Sequence, residues 1–466
     1  MLFNSYEFIF AFLPLVLIGW YALRPPIARL AFLTLASCFF YAWWDWRFLP
    51  LLLTSTSIDY VAGQLLVAAG EERRRRIVLV TALSLNLALL WYFKYAGFFL
   101  DSLNGIGSAL GARPDIPVVH VVLPIGISFY TFNSMSYTID IYRRQVQPAR
   151  SIVHYAAFVT MFPHLIAGPI VRYSTMEWQL RRLATRLSGE LASAGLFFFA
   201  CGLVKKLLVA DTLAPHVDRL FAHHHHLTLG TGWAAGLGYS LQLYFDFSGY
   251  SDMAVGLAFL LGFRFPQNFN SPYQSVNISD FWRRWHMSLS FWMRDYVFIP
   301  LGGSRGSRGR TLRNLAITMF LGGLWHGAAW TFVIWGLLHG CYLIVHEVCR
   351  NRGLTPRNAI VNRVITFVCV VAAFVLFRAP SVRAAGDVLS AMAGLHGLGS
   401  VHALHTTLGA GFALGIVAAL AWVNLVPNTW EVTLRPRPLY GVVLGLAMAV
   451  AITQISTPSP FLYFQF

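Results

Sequence analysis

Long apolar blocks, among them Ile77–Leu90 and Val364–Phe377, recur along the chain and are separated by short basic clusters. An apolar run of about 20 residues matches the hydrocarbon core of a bilayer. The composition agrees. Hydrophobic residues make up 57% of the 466, enough for about ten to thirteen such spans. Charged residues make up only 12%, about half the roughly 25% of soluble domains, and cannot coat a soluble core of this size. The pattern excludes an ordinary cytosolic enzyme, a disordered chain and a secreted disulfide scaffold. It predicts an all-α polytopic integral membrane protein: one membrane domain over residues 1–466, with no soluble module.

The expected spans are 7–23, 28–44, 49–69, 77–99, 118–139, 151–170, 191–210, 231–262, 314–346, 360–378, 385–395, 407–426 and 439–456. The long ones should bend or split, and 385–395 is too short for a simple crossing. Pro163 and Pro169 make 151–170 a candidate re-entrant segment. Residues 1–23 lack a basic leader and a small-residue cleavage site, and so read as a retained first span.

The formal net charge is +16. Basic residues gather in alternate loops (Arg24 and Arg29; Arg73–Arg76; Arg143, Arg144 and Arg150), as the positive-inside rule expects. That parity predicts cytoplasmic loops at these clusters and an outside N-terminus. Arg435 and Arg437, if also cytoplasmic, put the end of the chain outside. Nucleic acid is not an expected partner, because the cations are dispersed between spans. An anionic lipid or cofactor at the cytoplasmic face is compatible with them. The five cysteines form no C-x-x-C pair, so neither a disulfide framework nor a zinc site is expected. His223–His226 are consecutive, converge poorly on one tetrahedral metal, and read as a solvated loop. No bound metal is expected.

Ionisable groups at membrane depth are costly, which makes them functional candidates. The densest set lies between Tyr239 and His346. Asp246, Ser248 and Asp252 interrupt an apolar helical run; Ser248 and Asp252 share a face, suited to helix–helix hydrogen bonding or to a substrate. Residues 279–295 read as an interfacial amphipathic helix capped by Ser279 or Asp280, carrying Arg283, Arg284, Trp285 and His286. Arg283, Arg284 and Arg305 are candidates for a donor's phosphates, although snorkelling is the commoner role. In Leu321-Gly-Gly-Leu-Trp-His-Gly, His326 sits in lipid-soluble sequence, beside Trp325. Gly322 and Gly323 lie on its helical side, leaving room for a substrate or another backbone. A neutral imidazole in a dry site suits a general base, so His326 is the first catalytic choice. His339 and His346 read as structural.

Trp325-His326-Gly327, with Phe281-Trp-Arg-Arg-Trp-His286 upstream, resembles the membrane-bound O-acyltransferase family, in its bacterial alginate-acetylating branch. Met1-Leu-Phe-Asn-Ser, Leu123-Pro-Ile-Gly-Ile-Ser-Phe-Tyr130, Phe162-Pro-His-Leu-Ile-Ala-Gly-Pro169 and Leu243-Tyr-Phe-Asp-Phe-Ser-Gly-Tyr-Ser-Asp-Met253 extend the resemblance over essentially the whole chain. The resemblance implies about 11–13 membrane helices around a central channel. It implies His326 as the active-site histidine and His286 as the second functional position. It also implies acetyl-CoA as donor substrate rather than a resident cofactor, and a polysaccharide acceptor outside a bacterial inner membrane.

The chain closes on Pro458-Ser-Pro-Phe-Leu-Tyr-Phe-Gln-Phe466. Such an aromatic stretch, residues 459–466, fits an interfacial anchor. It also fits a relay in which His326 activates the Tyr463 hydroxyl to take acetyl. A similar tyrosine motif is found on a separate small peptide in related D-alanine transfer systems. An extracytoplasmic SGNH-like partner with a serine nucleophile would then esterify the polymer. The alternatives are acetylation of cellulose or peptidoglycan, D-alanyl transfer to teichoic acid, and a transporter with an intramembrane histidine proton relay.

Overall fold

The computed structural model describes all residues except 112–115, 119–120, 400, 433–437, 456–458, 460 and 463–466. Tyr463, Arg435 and Arg437 therefore lie outside the described residues. Among the described residues the secondary structure is helical, with no strand. Six helical stretches among them are long and apolar enough to cross a membrane: Pro26–Ala68, Glu72–Ala109, Gly189–Ala222, Trp330–Asn351, Ala359–Arg378 and Leu408–Leu425. Pro26–Ala68 breaks at Trp46–Phe48 into helices Pro26–Asp45 and Leu49–Ala68. At about 1.5 Å per residue, each of these is itself roughly 30 Å long. Glu7–Ala22 and Gly441–Thr453 are shorter apolar helices. The chain is thus an all-α, multi-pass membrane protein.

It groups into two compact units, Met1–Leu196 with Ala254–Pro266, and Phe197–Met253 with Gln267–Phe466. In the first unit Phe3 packs against Phe8, Phe40 and Phe162, so the opening motif is a core element. Two other motifs meet there: a Cβ on Gly126 (φ +78°) would lie 2.8 Å from the Leu165 carbonyl oxygen. His164 is held at both ring nitrogens, by the Asn133 amide and the Phe158 carbonyl. Asp59 accepts hydrogen bonds from Thr138 and Asn86. Two arginines expected only to mark topology also do structural work. Arg29 is buried and donates to the Trp20 and Ala184 carbonyls. Arg75 is buried and donates to Leu66 and Tyr142 carbonyls at the ends of two helices, where orphan acceptors and the helix dipole favour a cation.

Several predicted segments are divided. The 314–346 stretch splits into Arg308–His326 and Trp330–Asn351, in the second unit. At the break Gly327 is extended, and the position is closed to a side chain: a Cβ there would lie 2.2 Å from the Phe332 ring. The 151–170 stretch is two short helices, Ile152–Thr160 and Phe162–Leu165, neither long enough to cross. The 385–395 stretch belongs to Val382–Met392, also short. The interfacial segment is not one helix but two, Ile278–Arg284 and Met287–Met293, and its N-cap is Asn277, whose side chain accepts the Asp280 N–H.

Candidate active site

The Arg308–His326 and Trp330–Asn351 helices form a hairpin that crosses at two glycines. A Cβ on Gly323 would lie 2.4 Å from the Phe332 carbonyl, and one on Gly336 would lie 2.5 Å from the Met319 carbonyl. Gly322, one residue earlier, is also buried, yet a Cβ there would meet nothing within 4 Å. The two readings of the pair therefore divide: Gly323 serves backbone packing, and Gly322 leaves space on the side of the helix that carries His326.

His326 is the last residue of its helix and is buried. Its ring packs edge-on against Trp325, Trp335 and Phe377, with centroids 5.1, 4.9 and 5.1 Å away. The His286 ring is 6.4 Å from it and 5.8 Å from Trp325. Phe247 closes on His286 at 4.7 Å. Two imidazoles thus share one buried aromatic chamber.

His286 reaches the chamber through a strained backbone. It has φ 42° and ψ 54°, left-handed for a residue with a Cβ, at the break between the two short helices. Such a conformation persists only where the surroundings over-determine it. Asn268 supplies that support. Its carbonyl oxygen accepts from Met287 N–H, its side-chain oxygen from the Ser288 hydroxyl, and its amide donates to Ser251.

Trp285 is buried one layer behind, 5.1 Å from Phe269 and 5.0 Å from Phe374. Arg284 is engaged with Asp280 and the Asn270 carbonyl, whereas Arg283 and Arg305 are exposed. Trp335 also packs on buried His339 at 4.7 Å. Trp335 and Phe377 were not among the expected site residues; their signal is weak, because aromatic residues are common in such helices.

Asp246 and Asp252 belong to a second polar site, together with two lysines that reading the sequence missed. Gly249 lies midway between the aspartates and packs against Gly202: a Cβ on Gly202 would lie 2.4 Å from the Gly249 carbonyl. Residues six apart on a helix diverge by about 120°, and consecutive ones by about 100°. Lys205 and Lys206 therefore straddle the glycine contact. Lys205 Nζ donates to Asp252 at 2.6 Å and to Thr429 at 2.9 Å. Lys206 Nζ donates to Asp246 at 2.6 Å and lies 2.9 Å from Asp211. Ser248 is buried between the two aspartates in sequence. The available signal was two adjacent cations inside the apolar 191–210 stretch.

Elsewhere in this unit, His224 and His225 both reach Asp387 Oδ2, at 2.9 and 2.7 Å. Adjacent histidines thus do converge, on a carboxylate. The His224 hydrogen bond and the two neighbouring imidazoles hold the Asp387 carboxyl below its usual range.

Residues 119–383 match the family model of the membrane-bound O-acyltransferases. The chain is 46% identical over 393 residues to a probable alginate O-acetylase from Azotobacter vinelandii, covering 84% of this chain and 78% of the relative. It is 39% identical over 434 residues to a peptidoglycan O-acetyltransferase from Helicobacter pylori, covering 86% and 81%. It is 31% identical over 281 residues to a teichoic acid D-alanyltransferase from Bacillus subtilis, covering 57% and 71%. The protein therefore belongs to the membrane-bound O-acyltransferase family and is an O-acyltransferase.

Proposed function

We propose that this chain transfers acetyl from acetyl-CoA, taken up on the cytoplasmic side of a bacterial inner membrane, to an extracytoplasmic polysaccharide of the alginate type. The observation that carries the reading is the buried chamber in which His326 and His286 lie 6.4 Å apart, with open space at Gly322. Similarity to acetylating relatives over 84–86% of the chain, against 57% for the D-alanyl relative, favours acetyl over D-alanine.

In this reading His326 takes the proton of the Tyr463 hydroxyl. The phenolate oxygen attacks the thioester carbonyl, the carbon–sulfur bond breaks, and the CoA thiolate leaves and is protonated from His326. The product is an acetyl-tyrosine ester. A phenol of pKa about 10 replaces a thiol of about 8.5, so the acetyl group stays activated for the next transfer. A serine nucleophile on an SGNH-like partner then takes it and esterifies the polymer. His286 assists within the same chamber. Arg283 and Arg305, both exposed, are available for the donor's phosphates. Both ends of the chain lie on the outer side.

Replacing Tyr463 by Phe tests the relay. Polymer acetylation should be abolished while membrane insertion and thermal stability are retained. Normal acetylation by Tyr463→Phe would refute the relay.

A further inference from the structure

We propose that Lys206, Asp246, Asp211 and Tyr250 form a docking site inside the protein whose ligand is the chain's own closing segment, read as Ser459-x-Phe461-Leu462. Each described residue of that segment meets a dedicated partner. The Ser459 hydroxyl accepts from Lys206 Nζ at 3.2 Å and donates to Asp211 at 3.0 Å. The Phe461 ring stands edge-on to Tyr250 at 4.3 Å and lies 4.8 Å from the Lys206 ammonium. The Leu462 side chain is buried, and its backbone N–H donates to Asp246 Oδ2 at 3.0 Å.

The charge arithmetic makes this a recognition site rather than a filled gap. Lys206 faces two carboxylates, so the cluster carries one excess negative charge. Asp246 gives one oxygen to Lys206 and the other to the segment's backbone. A buried carboxylate gains from each added N–H donor. The lysine, in turn, offers Phe461 a cation–π contact, worth more out of water than at a surface. Apolar packing alone would hold a tail in many registers. A hydroxyl shared between two charges, a ring under an ammonium and an amide on a carboxylate hold one register.

That register matters for the proposed relay, on which the catalytic part of this inference rests. Tyr463 directly follows the anchored Leu462. Phe247, which directly follows Asp246, packs on His286 at 4.7 Å. One helical turn therefore anchors the segment with one residue and lines the histidine chamber with the next. Asp246 and Lys206 are positioning residues for Tyr463.

The test uses the full chain in lipid nanodiscs. Hydrogen–deuterium exchange should show the Leu462 amide protected, with exchange accelerating on the order of 100-fold in Phe461→Ala while the Leu229–Leu260 helix keeps its protection. Phe461→Ala keeps the Lys206–Asp246 and Lys206–Asp211 pairs, and the protection of the Leu229–Leu260 helix reports any folding defect of the core. Lys206→Met should release the segment as well. A fluorescent peptide of residues 456–466 should then bind Phe461→Ala but not the wild-type chain, whose site is occupied. It should restore acetyl transfer, and the same peptide carrying Tyr463→Phe should bind without restoring it. An unprotected Leu462 amide in the wild type, or peptide binding that ignores Lys206→Met, would overturn the dock. Binding with full restoration by the Tyr463→Phe peptide would leave the dock standing and sink the relay.

Discussion

Around His326 the neighbours are rings: Trp325, Trp335, Phe377 and, across the chamber, His286. Around Lys206 they are charges and hydroxyls: Asp246, Asp211 and Ser459. Both sites are buried in the same unit and both contain polar groups expected to be costly there. They meet the cost differently. The charged site matches ammoniums to carboxylates and fixes geometry. The imidazole site packs a titratable group among aromatic rings and leaves space at Gly322. In the proposed reading the second arrangement serves a group that exchanges protons with a transient guest, and the first serves a group that holds a segment in place. Density of polar residues alone does not separate chemistry from architecture in a membrane protein.

The largest effect expected on this contrast is at His326. His326→Ala should lower acyl transfer by about 10²- to 10⁴-fold, the usual worth of a positioned acid–base group, in a protein that still inserts and folds. Lys206→Met should act on stability first, and it should lower transfer as well because it releases the segment that precedes Tyr463. It strands buried carboxylates, so stability should fall by about 3–5 kcal/mol in a detergent unfolding assay. If Lys206→Met leaves stability intact, the charged site is not architectural.

The paired glycines sharpen the same division within one helix turn. Gly323→Leu, which forces two backbones apart, should destabilise by about 1–3 kcal/mol, as overpacking does. Gly322→Leu should leave the melting temperature near wild type and block transfer by filling the space beside His326. Equal loss of stability in both would remove the argument for a substrate space. The smallest effect is at His286. Left-handed backbone costs a residue with a Cβ about 1–2 kcal/mol. His286→Gly should thus be more stable than His286→Ala by about that amount, while both lose transfer. A Gly variant no more stable than the Ala variant would mean the left-handed geometry is not strained.

Much of this was legible in the chain. Apolar blocks of bilayer length announce membrane helices because lipid admits little else. His326 stood out because one imidazole in such a block demands a reason. What escaped was set by contacts distant in sequence. The Lys205–Lys206 pair draws its meaning from aspartates some forty residues away, and no local periodicity connects them. The need for glycine at 327 depends on the Phe332 ring, and the support of the left-handed His286 on Asn268. A helix-period pattern reads smoothly through both. The N-cap likewise fell on Asn277 rather than Ser279 or Asp280, because Asn277 is the residue whose extended backbone lets its side chain reach the Asp280 N–H.

The central claim is that the two-histidine chamber performs acyl transfer from a thioester. Its most direct test is the release of free thiol from acetyl-CoA by the purified protein in nanodiscs. The wild-type chain should release CoA, and His326→Ala should release it at the background rate while remaining folded. Release by His326→Ala at the wild-type rate would contradict the account.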